Sequence, residues 1–255
     1  GGAASKLFAE EAVKRGAIVI DNSSTFRLDP KVPLVVPEVN PEDVKSHQGI
    51  IANPNCSTIQ MVVALKPLYD AAKITRIIVS TYQAVSGAGQ EAMDELILQS
   101  QQVLNSEEVC PEIFPYPIAF NLIPQIDVFM DNNYTKEEMK MVDETKKIFH
   151  DNDLAITATT VRVPIIRSHS EAINIETERE LSASEAREIL SKAPGIIVQD
   201  DPSKKIYPMP LMASNRDEVF IGRIRKDIST PNGLSLFVVA DQLRKGAATN
   251  SIQIA

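Results

Sequence analysis

Short apolar runs that alternate with helical patterns constrain the fold of this chain more than any other feature. A first helical pattern ends at Gly16, and residues 17–20 then predict a short buried strand. Further apolar runs at 34–37 and 49–52 predict two more strands. A helix followed by short apolar strands is typical of a parallel, doubly wound α/β sheet. Residues 1–55 therefore predict part of a Rossmann-like domain, N-terminally truncated because its first strand and phosphate-binding turn are missing.

The rest of the chain predicts a second, mixed α+β domain over residues 56–238. Its helical patterns cover residues 57–72, 91–103, 135–149 and 181–192. Its strand-like runs cover residues 74–82, 155–164, 172–175, 196–199, 219–225 and 234–239. A proline-rich stretch over 105–133 predicts a long irregular loop, and residues 239–255 predict a final helix.

Composition excludes several classes of protein. The chain has 26 basic and 34 acidic side chains and a net charge of −8, which argues against nucleic acid as the main partner. No apolar run approaches the roughly 18 residues that span a bilayer. The two cysteines, Cys56 and Cys110, cannot build a disulfide scaffold and fit a reducing compartment. We therefore predict a cytoplasmic protein with no nucleic-acid partner, no membrane partner and no metal site.

Cys56 points most sharply to chemistry. It lies in the polar turn NPNCST at 53–58, between a predicted strand and a predicted helix. Free backbone N–H groups and the dipole at a helix N-terminus favour the thiolate, the nucleophilic form of cysteine. Core packing is the commoner fate of a cytosolic cysteine, but a turn of Asn, Ser and Thr is a poor place for it. We predict that Cys56 is a nucleophile and that Cys110, in the proline-rich loop, is structural.

A thiolate that acts on a carbonyl needs an acid/base partner, and His169 is the best placed histidine. It lies in a polar break between two predicted strands, whereas His47 and His150 lie in charged surroundings that predict solvated rings. Seven residues before His169, Arg162 interrupts an apolar strand. Two interpretations of Arg162 stay open: an ordinary strand residue that faces outward, or a bidentate ligand for a substrate carboxylate.

A glycine-rich turn, GAGQEA at 87–92, matches the dinucleotide-binding pattern G-x-G-x-x-A. It follows a predicted strand and opens a predicted helix, and Glu107 and Glu108 lie near the spacing of a ribose-binding acid. However, that helix is followed by the proline-rich loop rather than by a second parallel strand. We therefore predict that this turn is not the primary cofactor turn.

Several motifs along nearly the whole chain resemble aspartate-semialdehyde dehydrogenase. They are VIDNSSTFR at 19–27, VPEVN at 36–40, NPNCST at 53–58, TYQAVSGAG at 81–89, RVP at 162–164 with HSE at 169–171, and GAATN at 246–250. Their order, and the intervals from Cys56 to Gln83 and from Arg162 to His169, also resemble this family. The resemblance implies an NADPH-dependent reductive dephosphorylation of L-aspartyl-4-phosphate to L-aspartate 4-semialdehyde, through a cysteine acyl-thioester.

The resemblance also implies a role for each site residue. Cys56 would be the nucleophile, His169 the general acid/base, and Gln83 the residue that orients the acyl group. The residues implied to bind substrate are Arg27, Lys140 and Asn55 for the phosphate, Arg162 for the α-carboxylate, and Glu137 for the α-amino group. NADP is the implied cofactor, and the residues implied to contact it are Ser86, Gly87 and Gln242.

The implied organisation is a homodimer of three-part chains. Residues 1–55 would be the remnant of the NADP-binding domain, residues 56–238 the catalytic and dimerisation domain, and residues 239–255 a C-terminal helix that returns to the first domain. Because the glycine-rich NADP turn of the family would lie ahead of Gly1, we expect this polypeptide to keep the catalytic constellation but to bind NADP poorly, which would leave it inactive.

Two alternatives stay open. The first is an enzyme similar to N-acetyl-glutamyl-phosphate reductase, which would share the cysteine–histidine chemistry. The aspartyl substrate has a free amino group that needs an acidic partner, and Glu137, as such a partner, favours the aspartyl substrate. A truncated, non-catalytic dimerisation module is the second alternative.

Judged by spacing alone, Glu137 and Lys140 lie three residues apart on one helix and predict a solvated ion pair.

Overall fold

The computed structural model describes residues 1–255. Its α-helices are α1 (Gly2–Lys14), α2 (Cys56–Ala72), α3 (Gln90–Leu104), α4 (Lys136–Phe149), α5 (Ala183–Lys192), α6 (Pro210–Ala213) and α7 (Thr249–Ile254). Its strands are β1 (Val19–Asp21), β2 (Ile50–Ala52), β3 (Ile74–Gln83), β4 (Ala155–Arg162), β5 (His169–Thr177), β6 (Ile196–Val198), β7 (Val219–Lys226) and β8 (Gly233–Ala240). None of the helices combines the length and the apolar character needed to cross a membrane.

The strands form two sheets. β1 and β2 pair in parallel as a small sheet, and the other strands form one six-stranded sheet in the order β4-β3-β5-β8-β7-β6. In the large sheet β3 pairs in parallel with β4 and β6 with β7, while the remaining pairs are antiparallel. The predicted α/β class, with a mixed sheet in the second part of the chain, is confirmed.

α2 is the central helix and lies against one face of the large sheet, with α4 and α5 beside it. Its side chains Ile59 and Leu65 are fully buried, and so are Ile173 of β5 and Val238 of β8, which belong to the same apolar core. Each such side chain contributes about 1.5–3 kcal/mol when it leaves water. The first residue of α2, Cys56, is therefore carried by a helix most of whose side chains are buried.

The apolar run at 34–37 does not form the strand that we predicted. Leu34 makes only an isolated bridge to Ala52. Pro33 and Pro37, which flank residues 34–36, have no N–H to donate to a ladder of strand hydrogen bonds. The Asn40 side chain instead accepts a hydrogen bond from the Val36 N–H at 2.9 Å and donates to the Leu34 carbonyl at 2.8 Å. Two backbone bonds, from the Val35 N–H to the Ala52 carbonyl and from the Ala52 N–H to the Pro33 carbonyl, are the extent of the pairing, and the prediction of a strand was wrong because the Asn40 bonds take up the backbone groups that would continue it.

The C-terminal segment is helical only from Arg244 onward, not from residue 239. Residues 239–240 complete β8, and the Asp241 carboxylate then accepts the N–H groups of Leu243 and Arg244 at 3.0 and 3.2 Å. A π-helical turn over Arg244–Ala248 follows and leads into α7.

α7 packs against the first part of the chain. Ile254 joins Val35 and Ile51 in a small apolar cluster. Asn250 donates hydrogen bonds to the Val35 carbonyl at 3.0 Å and to Oδ1 of Asn53 at 2.6 Å. The end of the chain thus returns to residues 1–55 and closes over the polar turn that precedes Cys56.

Candidate active site

Three strand ends and one helix start meet at a buried polar site. β3 ends at Gln83 and β4 at Arg162, and their parallel register places these two residues side by side. β5 runs antiparallel to β3 and begins at His169, three residues earlier than the predicted strand. α2 begins at Cys56. This residue lies close enough to Arg162 for the two side chains to interact electrostatically. The structure therefore brings together the four residues that we placed at the reaction centre.

Cys56 lies in the first turn of α2, directly after the capping residue. The Asn55 side chain caps the helix by accepting the N–H groups of Ser57 and Thr58 at 3.0 and 3.3 Å. Gly246 makes room for the cysteine, because a Cβ at that position would lie 2.9 Å from Cβ of Cys56.

The protonation state of Cys56 differs from our expectation. Burial and the Glu137 carboxylate raise the pKa of the thiol to about 12, although Arg27 and Arg162 oppose the shift. The N–H groups on which a thiolate would depend already donate to Asn55, and the Ser57 N–H lowers the pKa least of all. Loss of hydration therefore opposes the thiolate that we predicted at this helix N-terminus.

His169 is fully buried and has a defined tautomer. Its Nδ1 accepts the Ala84 N–H at 3.0 Å, which assigns the ring proton to Nε2. Nε2 has no hydrogen-bond partner. Burial, assisted by the nearby Arg162 charge, lowers the pKa of His169 well below its usual value. The ring is therefore neutral and presents one free N–H donor.

The three predicted cofactor residues lie together beside this ring. Gln242 donates from Nε2 to Oγ of Ser86 at 2.5 Å and accepts the Ser168 N–H at 2.8 Å. A Cβ at Gly87 would lie 3.2 Å from Cε1 of His169 and 3.3 Å from its Nε2. Only glycine lets the backbone of this turn come so close to the histidine.

Arg162 is buried and forms no salt bridge. Its Nη1 donates to the Ala84 carbonyl at 2.6 Å, so the backbone of one residue holds both the arginine and His169. Burial lowers the pKa of Arg162, against the influence of Glu137. The open interpretation of an outward-facing strand residue is thus contradicted.

Arg27 is held by three oxygen atoms. Its Nε donates to the Asn53 carbonyl at 2.9 Å, its Nη2 to the Asn22 carbonyl at 2.9 Å, and its Nη1 to the Glu144 carboxylate at 3.1 Å. The second carboxylate oxygen of Glu144 accepts the Asn55 N–H at 2.6 Å. Although burial raises the pKa of Glu144, Arg27 favours its charged form.

Glu137 and Lys140 are not the solvated pair that their spacing alone predicts. Glu137 is buried, and one of its oxygens accepts from Nδ2 of Asn55 at 3.0 Å and from Nε2 of Gln83 at 3.1 Å. Its other oxygen accepts from Nζ of Lys140 at 3.1 Å, and Asp127 accepts from the same Nζ at 2.9 Å. Burial disfavours the ammonium charge, but Glu137 and Asp127 raise the pKa of Lys140.

A cavity of about 200 Å³ opens beside Arg27 and Lys140. Ser24 and Lys136 also line it, together with the acidic side chains of Asp143 and Glu144. Three cationic side chains around one small cavity can hold an anion of the size of phosphate.

The second cysteine and the other two histidines lie outside this site. Cys110 is exposed in the proline-rich loop. His150 is exposed and contacts the Asp43 carboxylate at 2.9 Å, and Nδ1 of His47 accepts the Gly49 N–H at 3.0 Å.

Sequence reasoning missed three residues that hold the site. Asn53 and Glu144 fix Arg27, and Asp127 binds Lys140. Glu144 could have been found, because it lies seven residues after Glu137 and hence on the same face of α4. Asp127 lies in the irregular loop and carries no periodic signal.

Comparison with known proteins agrees with this geometry. The family described as "Semialdehyde dehydrogenase, dimerisation domain" matches residues 65–245, and that described as "Semialdehyde dehydrogenase, NAD binding domain" matches residues 1–47. The cofactor is accordingly a nicotinamide dinucleotide.

Curated relatives and solved structures are similar over the whole chain. Aspartate-semialdehyde dehydrogenase from Aquifex aeolicus is 59% identical over 258 residues, and that from Bacillus subtilis is 58% identical over 263 residues. In both cases all of this chain and 76% of the relative are covered. The structure of aspartate semialdehyde dehydrogenase II from Vibrio cholerae has a TM-score of 0.97 at 50% identity, again covering all of this chain and 76% of the other.

Two further similar structures contain ligands. One is the Vibrio cholerae enzyme complexed with ASA, with the same TM-score of 0.97. The other is aspartate semialdehyde dehydrogenase with NADP from Candida albicans, with a TM-score of 0.76, 25% identity, and coverage of 100% of this chain and 74% of that one. The predicted resemblance is confirmed over both alternatives, and the chain belongs to the aspartate-semialdehyde dehydrogenase family.

Proposed function

We propose that this protein catalyses the NADPH-dependent reductive dephosphorylation of L-aspartyl-4-phosphate to L-aspartate 4-semialdehyde. The observation that carries the proposal is Arg162, a buried guanidinium without an ion-pair partner, beside the Cys56 thiol and the His169 ring. A buried charge without a partner is costly, and the α-carboxylate of the substrate would supply the missing anion.

The phosphate end of the substrate would lie in the cavity beside Arg27 and Lys140. Both side chains are oriented by carboxylates on α4, so their positions are set before the anion arrives. Glu137 would accept a hydrogen bond from the α-amino group, since its oxygens already face Gln83 and Asn55. Gln83 and Asn55 would then keep the acyl group and the phosphate in line with the sulfur atom.

The protonation states determine how acyl transfer would proceed. Cys56 begins as a thiol, and Nε2 of His169 already carries a proton, so the ring offers no base at that atom. We propose that the thiol proton leaves with the phosphate. The S–C bond forms, the C–O bond to phosphate breaks, and hydrogen phosphate departs past Arg27 and Lys140, leaving the thioester on Cys56.

Reduction of the thioester would then use the free N–H of His169. When bound, a reduced nicotinamide would supply the hydride that the thioester carbon accepts. The Nε2–H group would donate a hydrogen bond to the oxyanion that forms on the former carbonyl oxygen. Collapse of this tetrahedral adduct releases the aldehyde and a Cys56 thiolate, which takes a proton from solvent and restores the thiol.

The residues around His169 fit a planar cofactor ring. The unpartnered Nε2–H of His169 lies next to the backbone of Gly87. The hydrogen-bonded pair of Ser86 and Gln242 lies beside them. NADP rather than NAD is the cofactor that we propose, supported by the Candida albicans structure with NADP.

Turnover of aspartate semialdehyde in the presence of phosphate and NADP tests the proposed function. Formation of reduced nicotinamide should require all three reactants, and NADP should be used better than NAD. Cys56→Ser should lower kcat by ~10³-fold or more, because the nucleophile is lost. Cys110→Ser is the matched control and should keep normal turnover. Equal activity of the two variants, or a preference for N-acetyl-glutamate semialdehyde, would contradict the proposal.

We also propose a homodimer formed through the outer face of the large sheet. Tyr82, Ser170 and Phe237 lie on the face opposite α2, and with Met209 they line an apolar groove of about 470 Å³. The match to a dimerisation domain over residues 65–245 includes all of these residues. An exposed apolar groove of this kind is suited to association with a second copy.

The domain boundaries and the cellular location complete the proposal. The domain boundaries at residues 55 and 238 stay a prediction, whereas the C-terminal helical segment begins at Arg244 rather than at residue 239. We propose a cytoplasmic location because the mechanism needs Cys56 reduced and both cysteines are free.

A further inference from the structure

A second polar pair lies one layer deeper than Cys56 and His169. Gln60 follows Cys56 by four residues on α2 and therefore lies on the same helix face. Glu171 follows His169 by two residues on β5 and therefore points to the same side of the sheet. Both deeper residues are fully buried. The two elements that carry the nucleophile and the histidine thus meet again through these side chains.

Polar atoms of this pair lack hydrogen-bond partners. Both carboxyl oxygens of Glu171 and Oε1 of Gln60 are buried without a partner. Nε2 of Gln60 donates to the backbone carbonyl of His169 at 3.4 Å. Gln60 is also close enough to act on the Glu171 carboxyl, where it opposes the effect of burial, although no hydrogen bond joins the two side chains. Buried polar atoms are almost always satisfied, so this arrangement calls for a bond that a proton would complete.

No cation faces Glu171. Its cross-strand neighbours are Thr81 on β3 and Val238 on β8, and α2 contributes the neutral Gln60. The nearest titratable groups on the same faces are the neutral His169 ring and the Cys56 thiol. Burial therefore raises the pKa of Glu171 well above its usual value. Its side chain is held as a carboxylic acid with one O–H donor.

We propose that Glu171 and Gln60 form a buried hydrogen-bonded pair that positions His169 against Cys56. The Glu171 O–H donates to Oε1 of Gln60, and Nε2 of Gln60 donates to the His169 carbonyl. This chain of bonds joins the strand that carries the histidine to the helix that carries the nucleophile. Glu171 is a positioning residue, since it touches no reacting atom. The inference rests on the proposed function, because it concerns the same site.

Kinetics of three single variants and one double variant test this role. Glu171→Ala leaves Oε1 of Gln60 unpaired and should lower kcat by about 10- to 100-fold, with KM for aspartate semialdehyde changed by no more than about threefold, because a small displacement of the histidine affects the chemical step. Glu171→Gln should stay within about twofold of the parent kcat, since its amide N–H replaces the acid O–H. Gln60→Ala should match Glu171→Ala, and the double variant should lose no more than either single one.

The pH dependence of unfolding provides an independent measurement. In the unfolded chain Glu171 ionises above its ordinary pKa, whereas the folded protein keeps it protonated up to the raised value. The parent protein should therefore lose stability relative to Glu171→Gln as the pH rises above the ordinary pKa of a glutamate side chain. Glu176→Gln, on the opposite face of β5 at a partly exposed position, is the matched control and should show no such growing difference.

The outcomes separate this inference from the proposed function. Normal kcat in Glu171→Ala, a loss in Glu171→Gln as large as in Glu171→Ala, or a pH-independent stability difference would each overturn the pairing. Those results would leave the proposed function intact provided that Cys56→Ser is inactive. Activity in Cys56→Ser would instead overturn the proposed function, whatever the behaviour of Glu171.

Discussion

Cys56 combines the position of a nucleophile with the protonation state of a resting thiol. The helix start that carries it offers N–H groups, but Asn55 already engages them. Two arginines favour the thiolate, whereas burial and Glu137 favour the thiol and prevail. Because the thiolate is the reactive form of cysteine, a raised pKa lowers the reactivity of the sulfur toward electrophiles.

This protonation state predicts a slow and strongly pH-dependent alkylation of Cys56. In a Cys110→Ser background, the rate of modification by iodoacetamide should rise continuously from about pH 7 to about pH 10, because the pKa of Cys56 is raised to about 12. Mass spectrometry after timed quenching measures the rate. The reverse background, Cys56→Ser, reports the exposed Cys110 as a reference. A rate for Cys56 that levels off below pH 8 would show that the thiolate forms readily after all.

Most site residues could be named from the sequence, but their charges could not. Cys56, Gln83, Arg162 and His169 belong to ordered motifs, and the structure gathers them into one site. Their protonation depends on burial and on residues far away in the chain, such as Glu137 beside Cys56. No local pattern contains that information.

At the scale of elements, α4 supplies most of the negative charge that organises the site. Glu137 and Glu144 project from one face toward Gln83 and Arg27. Glu138 closes the capping box with Thr135 and also accepts the Thr160 N–H of β4 at 2.9 Å. The same box that starts the helix therefore fixes its rotation and depth against the sheet.

Removal of the Glu144 charge should destabilise the fold through Arg27. Glu144→Gln keeps the shape of the side chain but leaves a buried guanidinium without its carboxylate, which costs about 3–5 kcal/mol when such a pair is broken. Urea unfolding followed by circular dichroism measures the loss. Glu188→Gln removes the same charge from an exposed pair on α5 and should change stability little. Similar behaviour of the two variants would mean that the Arg27 pair contributes nothing to folding.

Elements with strong periodicity could be predicted, and those decided by side-chain bonds could not. The predicted bounds of β3 and α4 differ from the observed bounds by a residue or so. The run at 34–37 failed because Asn40 binds its backbone, and the π-helical turn before α7 gives no recognisable sequence pattern. β5 extends back to His169 because antiparallel pairing with β3 and β8 accepts polar residues there.

At the scale of the whole molecule, the C-terminal segment joins the two parts of the chain around the site. The buried Lys245 ammonium contacts the Glu38 carboxylate at 2.5 Å and also donates to Asn250 and Gln253 at 2.9 and 2.7 Å. The next residue, Gly246, packs on Cys56. Contacts that hold the chain end in place therefore also shape the pocket of the nucleophile.

The proposed homodimer should depend on the outer face of the large sheet. Phe237→Lys places a charge in the apolar groove and should convert the dimer to a monomer, because an unpaired charge at the centre of an interface costs several kcal/mol. Light scattering coupled to size-exclusion chromatography measures the mass, and circular dichroism checks the fold. Phe120→Lys, at an exposed position in the proline-rich loop, should stay dimeric. A dimeric Phe237→Lys variant would place the interface elsewhere.

By itself, the sequence determined the α/β class, nearly all helices and strands, and the family, and it predicted the candidate reacting residues, because apolar periodicity, capping signals and motif order are local properties of a chain. Only the tertiary structure decided that Cys56 rests as a thiol, that His169 presents Nε2–H, that Arg27 is paired with Glu144 and that Arg162 has no ion-pair partner. The physical reason is that desolvation and charge pairing are set by whichever distant residues fill the space around a group once the chain has folded.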